Sequence, residues 1–266
     1  MENVRAIVFA GFGVNCDYET ARGFELAGAH ADRVHIEDLI SKKYSLDDYQ
    51  VLALPGGFSY GDDIASGKVY ANKLKYHLSG ELEKFVSDGK LVIGICNGYQ
   101  MLVKAGLLPG LDGDYGSQKT TLTFNDSGRF ESRWVKLKAN PACKCVFTKG
   151  IDVIDVPVRH GEGKFIPISE EARVRLHSEN LIAFRYCDGA GNVAGEYPLN
   201  PNGSIDSIAG ICDPTGRVFG MMPHPEAHLF RHNNPHWARE KCSDPGGEGA
   251  GLKVFRNAVE HAKERL

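Results

Sequence analysis

The stretch with the most chemical content is Leu91-Val-Ile-Gly-Ile-Cys96-Asn-Gly-Tyr-Gln100. An apolar run of strand character passes directly into a helical one, and a cysteine stands at the junction. The pattern Gly94-x-Cys96-x-Gly98 is the thiol counterpart of the Gly-x-Ser-x-Gly nucleophile elbow. Small flanking residues let the backbone turn sharply and hold the nucleophile in a strained, exposed position. At the first turn of a helix, unpaired N–H groups and the helix dipole favour a thiolate. The same N–H groups, led by that of Asn97, can face an oxyanion. A buried structural cysteine is the competing reading, and the pattern alone leaves the two evenly matched.

Two further elements carry complementary chemistry. In Met221-Met-Pro-His224-Pro-Glu226, after an apolar run near the C-terminus, His224 can take a thiol proton and later return one to a leaving amine. Glu226 can hold the imidazole by its other nitrogen and stabilise the imidazolium. Pro225 fixes φ between them and keeps the segment extended, so both side chains can address one site. In Leu54-Pro-Gly56-Gly57-Phe-Ser-Tyr-Gly-Asp62, two glycines after a strand allow a backbone N–H to point into a cleft as a second oxyanion donor. Taken singly, a surface His-Pro-Glu and an ordinary glycine turn are the better readings. Together with Cys96 they describe cysteine-dependent acyl transfer.

These elements, in this order, resemble the triad class (class I) of glutamine amidotransferases. Asn15-Cys-Asp17, Pro55-Gly-Gly-Phe-Ser-Tyr-Gly-Asp62, Arg129-Phe-Glu-Ser-Arg-Trp134, Arg159-His-Gly-Glu-Gly-Lys-Phe165 and Asn200-Pro-Asn-Gly-Ser204 with Ile208-Ala-Gly-Ile211 narrow the resemblance to the glutaminase subunits of phosphoribosylformylglycinamidine synthase. The likeness runs from the first strand to His224-Pro-Glu226. It implies hydrolysis of L-glutamine to glutamate and ammonia. A partner synthetase then uses the ammonia, with ATP and Mg²⁺ on that partner, to convert formylglycinamide ribonucleotide to the amidine in purine biosynthesis. A small third subunit is a possible further partner. The resemblance assigns Cys96, His224 and Glu226 as the triad and the N–H groups of Gly57 and Asn97 as the oxyanion hole. It gives Gln100 and the loop at His160-Gly161-Glu162 a part in holding the charged end of glutamine. Typical members carry an aromatic residue or histidine after the Gly-Asp at 61–62, where this chain has Asp63-Ile-Ala-Ser-Gly67, in a region implied to face the synthetase. A stand-alone γ-glutamyl hydrolase and a glutamine-sensing scaffold remain as alternatives.

The elements that must position these residues are legible as an α/β pattern. Val4–Phe9, Val51–Leu54 and Leu91–Ile95 read as short buried strands. Asp17 reads as a side-chain cap of a helix to about Ala27, Leu74 to Val86 as one helical stretch, and Asn97–Ala105 as the helix after the elbow. Short strands separated by helices predict an open, mainly parallel central sheet with helices on both faces, the flavodoxin-like fold of the class I amidotransferases. The second half is strand-rich: Phe130–Leu137, Val153–Val158, Leu181–Tyr186, Ser207–Ile211 and Arg217–Met221, the last two joined by a turn at Asp213-Pro-Thr-Gly216. Asp112–Asp126 and Asp244–Gly251 read as loops, and Leu252–Leu266 as a C-terminal helix. The expected organisation is one domain over 1–266 with an elaborated segment at 230–266. Phe230–Gly251, longer than a minimal glutaminase needs, is either an interface elaboration or a surface loop.

With 266 residues, 42% hydrophobic and 24% charged, the chain can bury a full core. A net charge of -3 gives no reason to expect nucleic acid or an anionic membrane as partner. No apolar run approaches the roughly 20 residues of a membrane span. Seven cysteines without a disulfide framework, and a first strand with no basic leader, predict a cytoplasmic protein. Cys143 and Cys145 are too close for a Cys-x-x-Cys zinc knuckle and, like Cys187 and Cys212, read as structural thiols. His224, His228, His232 and His236 recur every four residues, but Pro225 and Pro235 interrupt any helix that would align them, so no metal is expected. Gly11-x-Gly13 lacks the third glycine of a dinucleotide loop, and no phosphate-binding Gly-x-x-x-x-Gly-Lys run exists.

Overall fold

A computed structural model describes residues 3–239 and 246–266. In chain order it contains β1 (Arg5–Ala10), α1 (Asp17–Leu26), β2 (His30–His35), α2 (Ile36–Ile40), β3 (Val51–Leu54), α3 (Lys68–His77), α4 (Ser79–Ser87), β4 (Leu91–Ile95) and α5 (Asn97–Ala105). There follow β5 (Thr120–Thr123), β6 (Glu131–Ala139), β7 (Val153–His160), β8 (Lys164–Pro167), α6 (Glu170–Ser178), β9 (Ile182–Cys187), β10 (Ile208–Cys212), β11 (Val218–Met221) and α7 (Leu252–Arg265).

Nine strands form one sheet in the order β2-β1-β3-β4-β11-β10-β9-β6-β7. The block β2-β1-β3-β4-β11 is parallel, and from β10 to β7 each strand runs antiparallel to its neighbour. The expected α/β fold is thus found, and its strand-rich half continues the same sheet. The parallel strands read as unbroken apolar runs because they are covered on both sides: every residue of β3, β4 and β11 is buried. Helices α1 and α7 pack together, with Phe24 edge-on to Phe255 at 5.0 Å, while α3 packs on α5, and both groups touch parallel strands.

The topology carries the functional consequence. Neighbouring parallel strands β1, β3, β4 and β11 all point the same way, so the loops leaving their carboxyl ends sit side by side. Those loops hold Cys16, Gly56-Gly57, Cys96 and His224. In an open parallel sheet the crevice outside the carboxyl ends is where ligands bind.

Several local expectations need correction. Thr120–Thr123, expected within a loop at Asp112–Asp126, is a strand paired antiparallel with Lys164–Pro167. Its partner lies some forty residues on, so only tertiary pairing reveals it. The stretch Leu74–Val86 is two helices, because Leu78 leaves the helical region (φ -129°) just before Ser79-Gly80. Asp17 is the first residue inside α1 rather than its cap, and its carboxylate takes Arg33 Nη1 at 2.9 Å. Strand β2 went unread because among its residues only Val34 is buried. The turn at 213–216 holds: the Gly216 N–H donates to the Asp213 carbonyl at 3.0 Å, and Gly216 adopts the φ of +75° that suits glycine. Of the expected loop at 244–251, residues 244 and 245 lie outside the described residues.

Candidate active site

Cys96 sits between β4 and α5 at φ +51°, ψ -108°, a region that side-chain-bearing residues avoid. The surroundings hold it there. Its N–H donates to the Met221 carbonyl of β11 at 2.8 Å, and its carbonyl accepts from the Gln100 N–H at 3.1 Å. Gly98 makes the turn possible by absence: a Cβ there would stand 1.8 Å from the Leu54 carbonyl oxygen. The strand-to-helix junction is therefore packed directly onto β3, and Cys96 is pinned from both sides. Its Sγ lies 3.6 Å from the Arg159 carbonyl oxygen at the end of β7.

His224 leaves β11 extended, and its N–H is anchored on the Pro157 carbonyl of β7 at 2.8 Å. Its Nδ1 meets Glu226 Oε1 at 2.5 Å, with both side chains almost wholly buried. Pro225, expected to keep the segment extended, instead begins a short 3-10 turn that brings residue 226 back beside the ring. Burial disfavours the imidazolium, but the charges of Glu226 and Cys96 outweigh it, so His224 holds its proton well above the ordinary histidine range. The side chains converge on Gly56: a Cβ there would lie 2.8 Å from His224 Cε1 and 3.4 Å from both Cys96 Cβ and Cys16 Sγ. Any larger residue at 56 would fill the meeting point.

Gly57 follows at φ +152°, where a Cβ would strike the Gly13 carbonyl at 2.4 Å. Asn97 is the first residue of α5, so its N–H has no carbonyl partner in a preceding turn. Its side chain ties the two loops together. Asn97 Oδ1 accepts from the Ser59 N–H at 3.1 Å, and Nδ2 donates to Asp62 Oδ1 at 3.1 Å and Gln100 Oε1 at 2.9 Å.

Gln100 and the loop at His160-Gly161-Glu162, expected to help hold glutamine, lie together beside α5. Gln100 is buried with its amide engaged inside the protein: Oε1 on Asn97, Nε2 on the Glu162 carbonyl at 2.7 Å. It braces the loop at 161–163 against α5. Glu162 Oε2 accepts from the Ser66 N–H at 3.3 Å. The His160 ring is buried under that loop, with Nδ1 on Asn125 Oδ1 at 3.1 Å and Nε2 3.4 Å from Asn202 Nδ2. Burial, reinforced by the charge of His224, pushes His160 down to about 3, so it stays neutral. Asn125 Oδ1 also accepts from the Gly163 N–H at 2.9 Å, and its Nδ2 donates to the His160 carbonyl at 2.8 Å. Asn202 in turn donates to Tyr186 Oη at 3.0 Å and accepts from the Ser204 hydroxyl at 2.7 Å. Asn125 carries no sequence signal, and Asn202 enters only as part of the 200–204 motif with no role attached, since each acts through the fold of distant loops.

Among the described residues, a cluster with metal-ligand spacing is Cys16, His224 and Glu226, whose ligand atoms lie within 4.8 Å of one another. Of the histidines after it, His228 Nδ1 meets the Asp155 carbonyl at 2.7 Å, and His232 stacks on Phe230. Farther along, the chain returns to the turn after His224, with the Gly249 N–H on the Leu229 carbonyl and the Gly251 N–H on the His228 carbonyl. Cys143 Sγ lies 3.4 Å from Cys212 Sγ, and both are free thiols.

Residues 3–262 match the family described as CobB/CobQ-like glutamine amidotransferase domain. The chain is 46% identical over 265 residues to a Methanococcus maripaludis protein named phosphoribosylformylglycinamidine synthase subunit PurQ, covering 97% of each. A Dehalococcoides mccartyi protein of the same name is 45% identical, over 99% of this chain and all of its own. The chain belongs to the PurQ family of glutamine amidotransferases. Among solved structures, a chain of PurLQS from Thermotoga maritima superposes with a TM-score of 0.70 at 32% identity, covering 98% of this chain and 99% of that one. Among the described residues, no helix of this PurQ-family chain is long and apolar enough to cross a membrane.

Proposed function

We propose that this chain hydrolyses L-glutamine through Cys96, His224 and Glu226 and passes the ammonia to a synthetase subunit that forms formylglycinamidine ribonucleotide. Cys96 Sγ, its proton resident on His224, attacks the amide carbon. The tetrahedral oxyanion falls to the N–H groups of Gly57 and Asn97, whose loops the Asn97 side chain holds in register. On collapse His224 returns the proton to the leaving nitrogen, releasing ammonia and a Cys96 thioester. His224 then takes a proton from water, which attacks the thioester and releases glutamate. Glu226 orients the imidazole and stabilises its charged form throughout.

The observation that carries this reading is the adjacency of β3, β4 and β11 in the sheet, which delivers glycine loop, thiol and imidazole to one crevice. The loop at Gly161-Glu162, braced by Gln100 and His160, borders the glutamine site. ATP and Mg²⁺ belong to the synthetase, with a small third subunit as a further partner, and the reaction runs in the cytoplasm. Six described cysteines with free thiols suit such a reducing compartment. The whole chain acts as one amidotransferase unit, in which Gly249 and Gly251 bond back to Leu229 and His228 and α7 packs against α1.

The test is Cys96→Ala, reconstituted with its synthetase. Glutamine-dependent synthesis should vanish while ammonia-dependent synthesis continues. Normal glutamine-dependent turnover by this variant would end the reading.

A further inference from the structure

We propose that Asp62 is a positioning residue of the glutaminase site: its carboxylate holds the Asn97 side chain, and through it the spacing of the two oxyanion donors. The proposal rests on the triad reading above and adds a residue to it. The chain reaches Asp62 by a sharp bend, since Tyr60, Gly61 and Asp62 all take positive φ, at +54°, +70° and +54°. Two of the three carry side chains that disfavour this region, so the bend needs contacts to hold it. It returns the Asp62 carboxylate to the first residue of α5. Oδ1 accepts from Asn97 Nδ2 at 3.1 Å and from the Gly67 N–H at 3.2 Å, and Oδ2 accepts from the Ser66 hydroxyl at 2.9 Å.

The Asn97 amide has two donor hydrogens at one end and an acceptor oxygen at the other, and the fold uses both ends. Nδ2 gives one hydrogen to Asp62 and the other to Gln100 Oε1 at 2.9 Å, which leaves Oδ1 to receive the Ser59 N–H at 3.1 Å. A carboxylate only accepts, so Asp62 admits the amide in one orientation, with its oxygen toward Ser59. Ser59 lies two residues beyond Gly57. On its other side this loop hangs on the loop after β1, with the Phe58 N–H on the Gly13 carbonyl at 2.7 Å and the Tyr60 N–H on the Phe12 carbonyl at 2.9 Å. The Asn97 side chain grips it from the α5 side, next to the Asn97 N–H itself. Asn97 and Ser59 are each 1% exposed, so a lost partner leaves a buried polar group unpaired. Burial pushes Asp62 above the ordinary aspartate value, and the bonds from Ser66, Gly67 and Asn97 oppose the rise by favouring the charged form.

The experiment compares Asp62→Ala and Asp62→Asn in the reconstituted enzyme. Asp62→Ala leaves an Asn97 hydrogen without its acceptor and should lower glutamine-dependent kcat by about 10- to 100-fold, the scale on which a misplaced catalytic group acts. The glutamine KM should stay within about 3-fold of wild type, and ammonia-dependent synthesis should be kept. Asp62→Asn still offers Asn97 an oxygen and can turn its amide hydrogens to the Ser66 oxygen, so it should restore most of kcat. Asn97→Ala, which keeps the backbone N–H, should show the same loss of kcat, and adding Asp62→Ala to it should cost little more. A further measurement separates the oxyanion hole from a general disturbance of the site. Iodoacetamide alkylates Cys96 by forming a sulfur–carbon bond as iodide leaves a saturated carbon, and no oxyanion arises. Its rate, read from the mass of the peptide carrying residue 96, should stay within about 3-fold of wild type in Asp62→Ala. The proposal falls if Asp62→Ala keeps wild-type kcat, if asparagine at 62 fails to rescue, if the two alanine variants add independently, or if alkylation falls as far as kcat. Those failures would leave Cys96→Ala inactive with glutamine, which separates them from failure of the triad reading.

Discussion

His160 makes the protein's stability depend on pH in a way that one substitution can isolate. Its ring is 2% exposed and remains neutral down to about pH 3, because burial and the nearby His224 charge disfavour protonation. In the unfolded chain the same imidazole takes a proton below about pH 6.5. The unfolded state therefore binds more protons than the folded one between those values, and stability falls as the solution is acidified through that window. The slope is about 1.4 kcal/mol per pH unit once below 6.5, which makes the loss about 2 kcal/mol at pH 5. His160→Asn places an amide N–H near Nδ1, so the donation to Asn125 Oδ1 can persist while the titration is removed. Urea denaturation at pH 7.5 and pH 5 for both proteins gives the assay. The variant should be less stable at pH 7.5, having lost the Asn202 contact. Its further loss on acidification should be smaller than the wild type's by about 2 kcal/mol, close to 1 M urea at an m-value of about 2–3 kcal/mol/M. Other titrating groups cancel in the difference. Equal losses in the two proteins would refute the claim that the fold keeps this histidine neutral.

The remaining predictions concern the machinery around Cys96 and the stability of α4. Glu226→Gln removes the charge that holds His224 protonated, so the alkaline limb of kcat/KM for glutamine should move to lower pH; an unmoved limb would contradict the assigned cause. Gly57→Ala forces a Cβ onto the Gly13 carbonyl and should reduce glutamine-dependent kcat by about 100-fold or more, while ammonia-dependent synthesis is kept. Gly98→Ala should give little folded protein, since its Cβ meets the Leu54 carbonyl at 1.8 Å. Gly80→Ala, with open space around the site in α4, should stabilise by about 0.5–1 kcal/mol in thermal or urea unfolding.

Much of the site was legible because its chemistry is local. Cys96 needs a strand behind it, a helix ahead and small residues beside it, and all three lie within ten residues. His224, Pro225 and Glu226 likewise carry their geometry in consecutive positions, which is why the 2.5 Å contact follows from so short a segment. Apolar runs named the buried parallel strands, since a strand covered on both faces must be apolar throughout. Where one partner of an interaction lies far along the chain, that legibility ended. β5 pairs with a strand some forty residues later, and His160 owes its neutral, buried state to asparagines at 125 and 202.

What sequence alone determined, then, is the kind of chemistry and the short motifs that perform it, because residue type and neighbour spacing settle reactivity and local turns. What only the tertiary structure decided is which side chains share a site. The order β1-β3-β4-β11 sets four loops from distant parts of the chain next to one another, and that order is chosen by the packing of the whole sheet. The fold also ties the Gln100 amide to Asn97 and the Glu162 carbonyl and brings Cys16 within 4.8 Å of His224 and Glu226, since hydrogen bonding and proximity are properties of neighbours in space.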